Sequence, residues 1–349
     1  MSTTVALRCD GGPDIGVGHL VRCLALAEEL VARGVRVVLL GEIHGVDWVL
    51  RQYRSLGVAV APAAADPTGL VEQVRSLGAG GVVLDGYDLP PGLGAALRRA
   101  GVGVLALVDG SFGAGQEADA YLDQNLDAPP VNAGSGADQL LGLDHVLFRD
   151  AVLRHRHRPD RAAPPRPEST SGALRVLTVF GGTDAFDASP VVTPLVLATG
   201  RPVHVIAVAA RPSLRTALER VQPGPGQQLE IRDPDPDLPG LAASCDLAVT
   251  AAGSSVWELL CLGVPCALVQ VVDNQSVGYE RVVGDGLATG LGHLGELESD
   301  PGSRARAVAA LDSLLTDAGR REALTRRGVQ LVDGRGRERV ADAFLRHVR

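Results

Sequence analysis

Short apolar runs alternate with segments of helical periodicity along most of the chain. Residues 5–8 form a first apolar run, followed by a glycine-rich turn over 11–18. In 19–33 the apolar positions Leu20, Cys23, Leu24, Leu26, Ala27, Leu30 and Val31 recur at helical spacing, and Gly34 supplies a C-terminal stop. Residues 35–40 are almost wholly aliphatic, as in a strand covered on both faces. The alternation continues with helix 48–56, strand 58–61, helix 70–77, strand 81–85, helix 93–99 and strand 104–109. It resumes with strands 174–180, 203–208, 229–232, 247–250 and 266–272, separated by helices over 190–198, 214–220, 238–245 and 254–262. Helices over 304–315, 320–327 and 337–348 follow. Such alternation predicts parallel sheets with helices on both sides.

The pattern breaks once. Residues 154–172 are rich in Pro and Arg and carry no apolar periodicity, which reads as a linker. The chain has 349 residues, and domains commonly run roughly 100–200 residues, so two fit. The expected organisation is an N-terminal domain over 1–153, the linker 154–172, a C-terminal domain over 173–330, and a final helix in 331–349 that packs back on the first domain. The fold class is α/β, with two Rossmann-like domains facing across a cleft.

Composition narrows the chemistry. The net charge is −8, with 46% hydrophobic and 21% charged residues. An acidic chain is a poor partner for nucleic acid or an anionic membrane. All 33 basic residues are Arg and none is Lys, so a Walker-type phosphate loop and Schiff-base chemistry are excluded. Five cysteines, an odd number with no CxxC, read as buried free thiols of a reducing compartment. The N-terminus lacks a signal-like stretch, and no window approaches the roughly 18 apolar residues of a membrane span. The expectation is a cytoplasmic protein with no metal and no cofactor.

In open α/β sheets ligands bind beyond the C-terminal strand ends, so the residues there are the ones to weigh. His19 follows a glycine-rich turn that includes Gly16 and Gly18, with Asp10 just after the first strand. At a helix N-terminus the dipole disfavours imidazolium, and a neutral imidazole can take a proton. The plain alternative is a helix-capping histidine. Ser254, Ser255 and Glu258 open a helix after a strand, which suits a diphosphate with Glu258 toward a ribose; a simple capping box is the alternative. Gly182, Thr183 and Asp184 in the loop after strand 174–180 fit the same phosphates, or a tight turn. Asn274 and Gln275 fit a sugar or water contact, or an N-cap. Asp85, Tyr87 and Asp109 lie at strand ends as sugar contacts, acid–base partners of His19 or loop caps.

Taken together, Arg8-x-Asp10, Ile15-Gly16-x-Gly18-His19-x-x-Arg22-Cys23-Leu24, Asp85-x-Tyr87, Gly181–Asp184, Ser254-Ser255-x-x-Glu258, Gly263-x-Pro265 and Asn274-Gln275 resemble a known family. It is the UDP-sugar hydrolases of pseudaminic acid biosynthesis, which include proteins labelled as spore coat polysaccharide biosynthesis. The second half is also similar to the UDP-binding half of the peptidoglycan N-acetylglucosaminyl transferases, which share the GT-B architecture. The resemblance implies metal-free hydrolysis of UDP-2,4-diacetamido-2,4,6-trideoxy-β-L-altropyranose, with His19 acting on water and Asn274 helping to place substrate. Asp10, Gly16, Gly18, Arg22, Asp85, Tyr87, Gly182, Thr183, Asp184, Ser254, Ser255, Glu258 and Gln275 then line the substrate. Other enzymes of a nonulosonic acid or glycan pathway are the implied partners. The alternative reading is a GT-B glycosyltransferase that uses a UDP- or dNDP-sugar on a cell-wall or secondary-metabolite acceptor. A catalytically inactive binding module is a third.

Overall fold

The computed structural model describes residues 3–12, 15, 17–132, 136–157, 172–235 and 237–349. Its strands are β1 (Thr4–Cys9), β2 (Arg36–Leu40), β3 (Ala59–Ala61), β4 (Gly81–Asp85), β5 (Gly103–Leu107), β6 (Ala120–Asp123), β7 (Asp138–Leu141), β8 (Leu174–Val179), β9 (Val203–Val208), β10 (Gln228–Arg232), β11 (Leu247–Ala251), β12 (Cys266–Gln270) and β13 (Thr289–His293). The helices are α1 (Gly18–Ala32), α2 (Asp47–Ser55), α3 (Pro67–Ser76), α4 (Leu93–Arg99), α5 (Asp150–His155), α6 (Ala188–Leu197) and α7 (Pro212–Leu218). They continue with α8 (Leu238–Ala243), α9 (Ser255–Leu262), α10 (Ser276–Gly284), α11 (Leu294–Ser299), α12 (Pro301–Thr316), α13 (Ala318–Leu331) and α14 (Gly336–Leu345). Strands β6, β7 and β13 and helices α5, α10 and α11 are absent from the sequence reading. β6 and β7 are four residues each, too short for an alternation to register, and Gly290 and Gly292 interrupt β13.

The chain forms two compact units, residues 1–150 with 334–349, and residues 151–333. The first holds a seven-stranded sheet of order β3-β2-β1-β4-β5-β6-β7, and the second a six-stranded sheet of order β10-β9-β8-β11-β12-β13. Every pairing is parallel. Both orders reverse direction beside the first strand of their unit, between β1 and β4 and between β8 and β11. A crevice opens at such a switch point, because the loops leaving the two strands turn to opposite faces.

Period-two alternation explains the two-sided core. Val5 and Leu7 of β1 join one buried cluster with Leu20, Leu24 and Phe344, while Ala6 joins another with Leu40, Leu70, Val74 and Leu97. In the second unit Val176, Val205, Val249 and Val269 pack with Val192, Leu311 and Leu314. The C-terminal segment belongs to the first unit: α14 places Val340, Ala341 and Phe344 in the α1 cluster. Gly103 is needed beneath it, since a Cβ there would lie 2.3 Å from the His347 carbonyl oxygen. Arg337 of α14 fixes the join, donating to Glu28 at 3.0 Å and Asp150 at 2.6 Å, with Glu29 at 3.2 Å. One cation serves three carboxylates there, and burial pushes the Glu28 carboxyl up to about 7.

Helix α5 occupies the start of the expected linker, and residues 158–171 of that stretch lie outside the described residues. No helix among the described residues is long and apolar enough to cross a membrane. All five cysteines are free thiols and buried.

Candidate functional site

The switch point of the first unit carries a charged cluster. Register sets Cys9, the last residue of β1, beside Asp85, the last residue of β4. Helix α1 begins nine residues beyond β1, so its second residue, His19, comes down onto the end of β4. His19 Nδ1 lies 2.6 Å from Asp85 Oδ1, and His19 is only 4% exposed. Arg22, one turn further along α1, donates from Nε to Asp85 Oδ2 at 2.6 Å and from Nη2 to Asp85 Oδ1. A buried carboxylate needs such partners, because desolvation strongly disfavours its charge. Burial alone would push the Asp85 carboxyl up; the Arg22 guanidinium and the His19 ring hold it down at about 2.

An ionised Asp85 only accepts, which settles the tautomer of His19. Nδ1 donates to it, so Nε2 is the nitrogen that bears the lone pair of the neutral ring, and it has no partner among the described residues. The Arg22 Nη2 contact to Nδ1 at 2.9 Å is therefore two donors converging on one carboxylate oxygen. The Arg22 guanidinium, a candidate substrate contact, is committed to Asp85, because that buried anion has to be neutralised. The Cys23 thiol also approaches Asp85 Oδ2, at 3.5 Å.

Tyr87 stacks edge-on against His19, with ring centroids 4.5 Å apart. Burial first, and then Asp109 after β5, raise the Tyr87 phenol above its ordinary range. Asn125 Nδ2 donates to Asp109 at 3.3 Å and to Asp123 at 3.0 Å. Asp123, Asn125 and Phe112 escaped the sequence reading. The position of Asp123 at a strand end would have exposed it, had β6 been recognised. Asp10 turns elsewhere: its Oδ1 takes Arg8 at 2.6 Å and the Glu42 amide at 2.8 Å, joining the loops after β1 and β2. Gly18 opens α1, and Gly16 lies outside the described residues.

The second unit's switch point is built differently. Ser254 is the N-cap of α9 and is exposed, with no side-chain bond to the helix. Ser255 and Glu258 are half-buried in its first turn. The alternative in which Ser255 is the N-cap is not what forms. Gln275 Oε1 accepts from the Val271 amide at 3.0 Å, and its Nε2 is 3.9 Å from where a Gly253 Cβ would lie. Gln275 thus ties itself to the segment just after β12 through its amide oxygen, while its Nε2 lies close to the β11–α9 loop. Asn274 is exposed in a short 3₁₀ turn over Asp273–Gln275, and the N-cap of α10 is Gln275 rather than Asn274. Thr250 Oγ1 and Trp257 Nε1, on either side of Gly253–Ser255, are buried without a hydrogen-bond partner among the described residues.

Asp184, a candidate phosphate-side residue, is used within the protein. Its carboxylate is 3% exposed and accepts from the Ala188 amide at 2.8 Å, the Ser189 amide at 2.9 Å and the Ser189 hydroxyl. It caps α6, because the backbone at Asp184 (φ +46°) and Asp187 (φ +54°) folds the loop inward. Gly182 and Thr183 remain exposed at its tip. Arg211, unremarked in the sequence, clamps this loop through the Thr183 carbonyl at 3.0 Å, the Asp184 carbonyl at 2.5 Å and Asp187 Oδ1 at 2.7 Å.

No family model matches the chain. It is 23% identical over 360 residues to the spore coat polysaccharide biosynthesis protein SpsG of Bacillus subtilis, covering 96% of each chain. It is 29% identical over 331 residues to the UDP-N-acetylglucosamine–N-acetylmuramyl-(pentapeptide) pyrophosphoryl-undecaprenol N-acetylglucosamine transferase of Bordetella parapertussis, covering 83% of this chain and 85% of that one. Among solved structures, Acinetobacter baumannii MurG superposes with TM-score 0.69 at 15% identity, over 99% of this chain and 100% of that one. The glycosyltransferase of kitacinnamycin gives 0.69 at 17% identity, over 100% of both. Two parallel-sheet α/β units and these superpositions make the fold GT-B. The expected hydrolysis of a pseudaminic acid precursor is overturned. The two relatives named above whose printed names state an activity are a UDP-N-acetylglucosamine-using transferase and a glycosyltransferase, and a further similar structure is named a putative UDP-N-acetylglucosamine 2-epimerase.

Proposed function

We propose that this chain is a GT-B glycosyltransferase that takes its sugar from a UDP-sugar and passes it to an acceptor hydroxyl. The observation that carries the reading is the buried His19–Asp85 pair, 2.6 Å apart at the switch point of the first sheet. Asp85 holds the Nδ1 proton and leaves the Nε2 lone pair to receive the proton of the acceptor. The acceptor oxygen attacks the anomeric carbon, the bond from that carbon to the diphosphate oxygen breaks, and UDP leaves with the electron pair. His19 becomes imidazolium, and the Asp85 carboxylate stabilises it. Arg22 keeps that carboxylate ionised.

On the second unit the exposed Ser254 and the first turn of α9 offer amides and hydroxyls to the leaving diphosphate, where the helix dipole favours negative charge. Glu258 lies in that turn as the group for a ribose, and Asn274 and Gln275 stand beyond β12 as sugar contacts. The similarity to a transferase that uses UDP-N-acetylglucosamine supports a UDP-sugar donor. The test is UDP release from a panel of UDP-sugars with and without a hydroxyl acceptor. Release that appears only with acceptor, and disappears in His19→Ala while UDP still binds, is the expected result. Equal release without any acceptor would sink the reading.

A further inference from the structure

We infer that Tyr87 and Phe112 form the acceptor seat, and that the acceptor it takes is an uncharged planar aromatic alcohol. The inference rests on the transferase reading above and gives it a substrate class. Large aromatic side chains are ordinarily buried, yet Tyr87 is 44% exposed and Phe112 46%. They are not scattered. His19 and Tyr87 meet with centroids 4.5 Å apart at 78°, and Tyr87 and Phe112 at 4.4 Å and 65°. Three rings therefore climb edge-to-face from the buried imidazole to the surface. An aromatic guest laid on the outer rings continues that geometry and brings a ring-borne hydroxyl down toward His19.

The outer ring is held, not loose. Phe112 and Asp109 exchange backbone hydrogen bonds, both at 3.1 Å. Gly113 closes the turn at φ +76°, where a Cβ would come within 2.0 Å of the Leu107 carbonyl oxygen. A ring presented by a fixed turn loses little freedom when it binds, so its contact area is converted efficiently into affinity.

The surrounding charge selects the guest. Asp109, Asp85 and Arg22 face Tyr87, and Arg22 is committed to Asp85. Asp123 stands behind Asp109 through Asn125, and Asp88, next in sequence to Tyr87, is exposed. The local balance is negative, with no uncommitted cation among these groups to receive a phosphate or carboxylate. An anionic lipid-phosphate acceptor is therefore repelled where a neutral aryl ring is not. A phenolic hydroxyl, with an ordinary pKa of about 10, also gives up its proton to an imidazole base far more readily than an aliphatic alcohol does.

The experiment is direct binding of 2-naphthol at pH 7, followed by its fluorescence, without any donor. 2-Naphthoate, the same skeleton with a carboxylate, and vesicles carrying a polyprenyl phosphate serve as the comparison. Saturable naphthol binding is expected, at least tenfold tighter than naphthoate. It should fall at least tenfold in Phe112→Ala and Tyr87→Ala and persist in Phe112→Trp. Because binding is read with neither donor nor turnover, its outcome is independent of transfer, which separates this inference from the catalytic reading. The seat is refuted if naphthol fails to saturate, if Phe112→Ala binds it unchanged, if naphthoate binds as well, or if the vesicles compete better than naphthol. Saturable naphthol binding with no UDP released from any donor would refute the transferase reading, and with it the word acceptor.

Discussion

The two switch points of this chain share strand order and differ in what fills them. Between β1 and β4 the crevice holds side-chain charge: a histidine, an arginine and a carboxylate satisfied by one another and almost wholly buried. Between β8 and β11 it holds an exposed helix start with small hydroxyl residues, while the nearby carboxylate of Asp184 is turned inward to cap a helix. The same topology can thus present a proton acceptor or an anion cradle. Which of these results depends on a few side chains at the first turn of the following helix.

The comparison breaks most sharply at Asp85. Asp85→Asn should leave UDP affinity in the second unit unchanged while transfer falls by roughly 10³–10⁴, because the amide no longer fixes the Nδ1–H tautomer. Steady-state kinetics beside a UDP titration would check this; a loss below tenfold would remove Asp85 from the mechanism.

Arg22→Met comes next. It strands a buried carboxylate, and the first unit should lose about 3 kcal/mol at pH 7, while the second unit's melting stays in place. The sign with pH follows from Asp85. Its carboxyl is held at about 2, below the ordinary 3.8. In the native chain the pair stabilises above pH 3.8, and that stability is lost as pH falls toward 2. The variant should show no such loss, and Arg22→Lys only part of it, in denaturant melts between pH 2 and 7.

In the second unit the effects are smaller, because the cradle is made of neutral donors. Ser254→Ala combined with Ser255→Ala should weaken UDP binding about tenfold by calorimetry and leave the acid dependence of the first unit untouched. An unchanged Kd would assign the diphosphate elsewhere.

The smallest effect concerns how the first unit is tied to its own C-terminal helix. The Glu28 carboxyl is raised from 4.5 to about 7, so its contribution is fully present below pH 4.5 and lost as pH rises through 7. Glu28→Gln should match the native chain at pH 4 and melt roughly 4 °C higher at pH 8, in the first unit alone. Melting curves that stay parallel across that range would contradict it.

Much of the scaffold is legible in the sequence, since continuous aliphatic runs between amphipathic segments have few other solutions. The misses have local causes. Strand β6, Ala-Tyr-Leu-Asp, is too short to show a period, so Asp123 and Asn125 stay hidden with it. Phe112 sits among Gly, Ser and Asp in a stretch whose composition says only that the chain turns. Arg211 stands at the N-cap of a short helix, with nothing nearby in sequence to name the loop it clamps.

The residues that order β1, β4, β8 and β11 and start the helices after them are written in the chain, because backbone propensity and hydrophobic period act over a few neighbours. Whether a polar side chain at those strand ends meets a ligand or another side chain is decided only in three dimensions. Arg22 and Asp85 are 63 positions apart, and Asp184 turns inward through positive φ angles at Asp184 and Asp187. Hydrogen bonds reach about 3 Å, and no pattern along the chain encodes which distant partner will arrive within that distance.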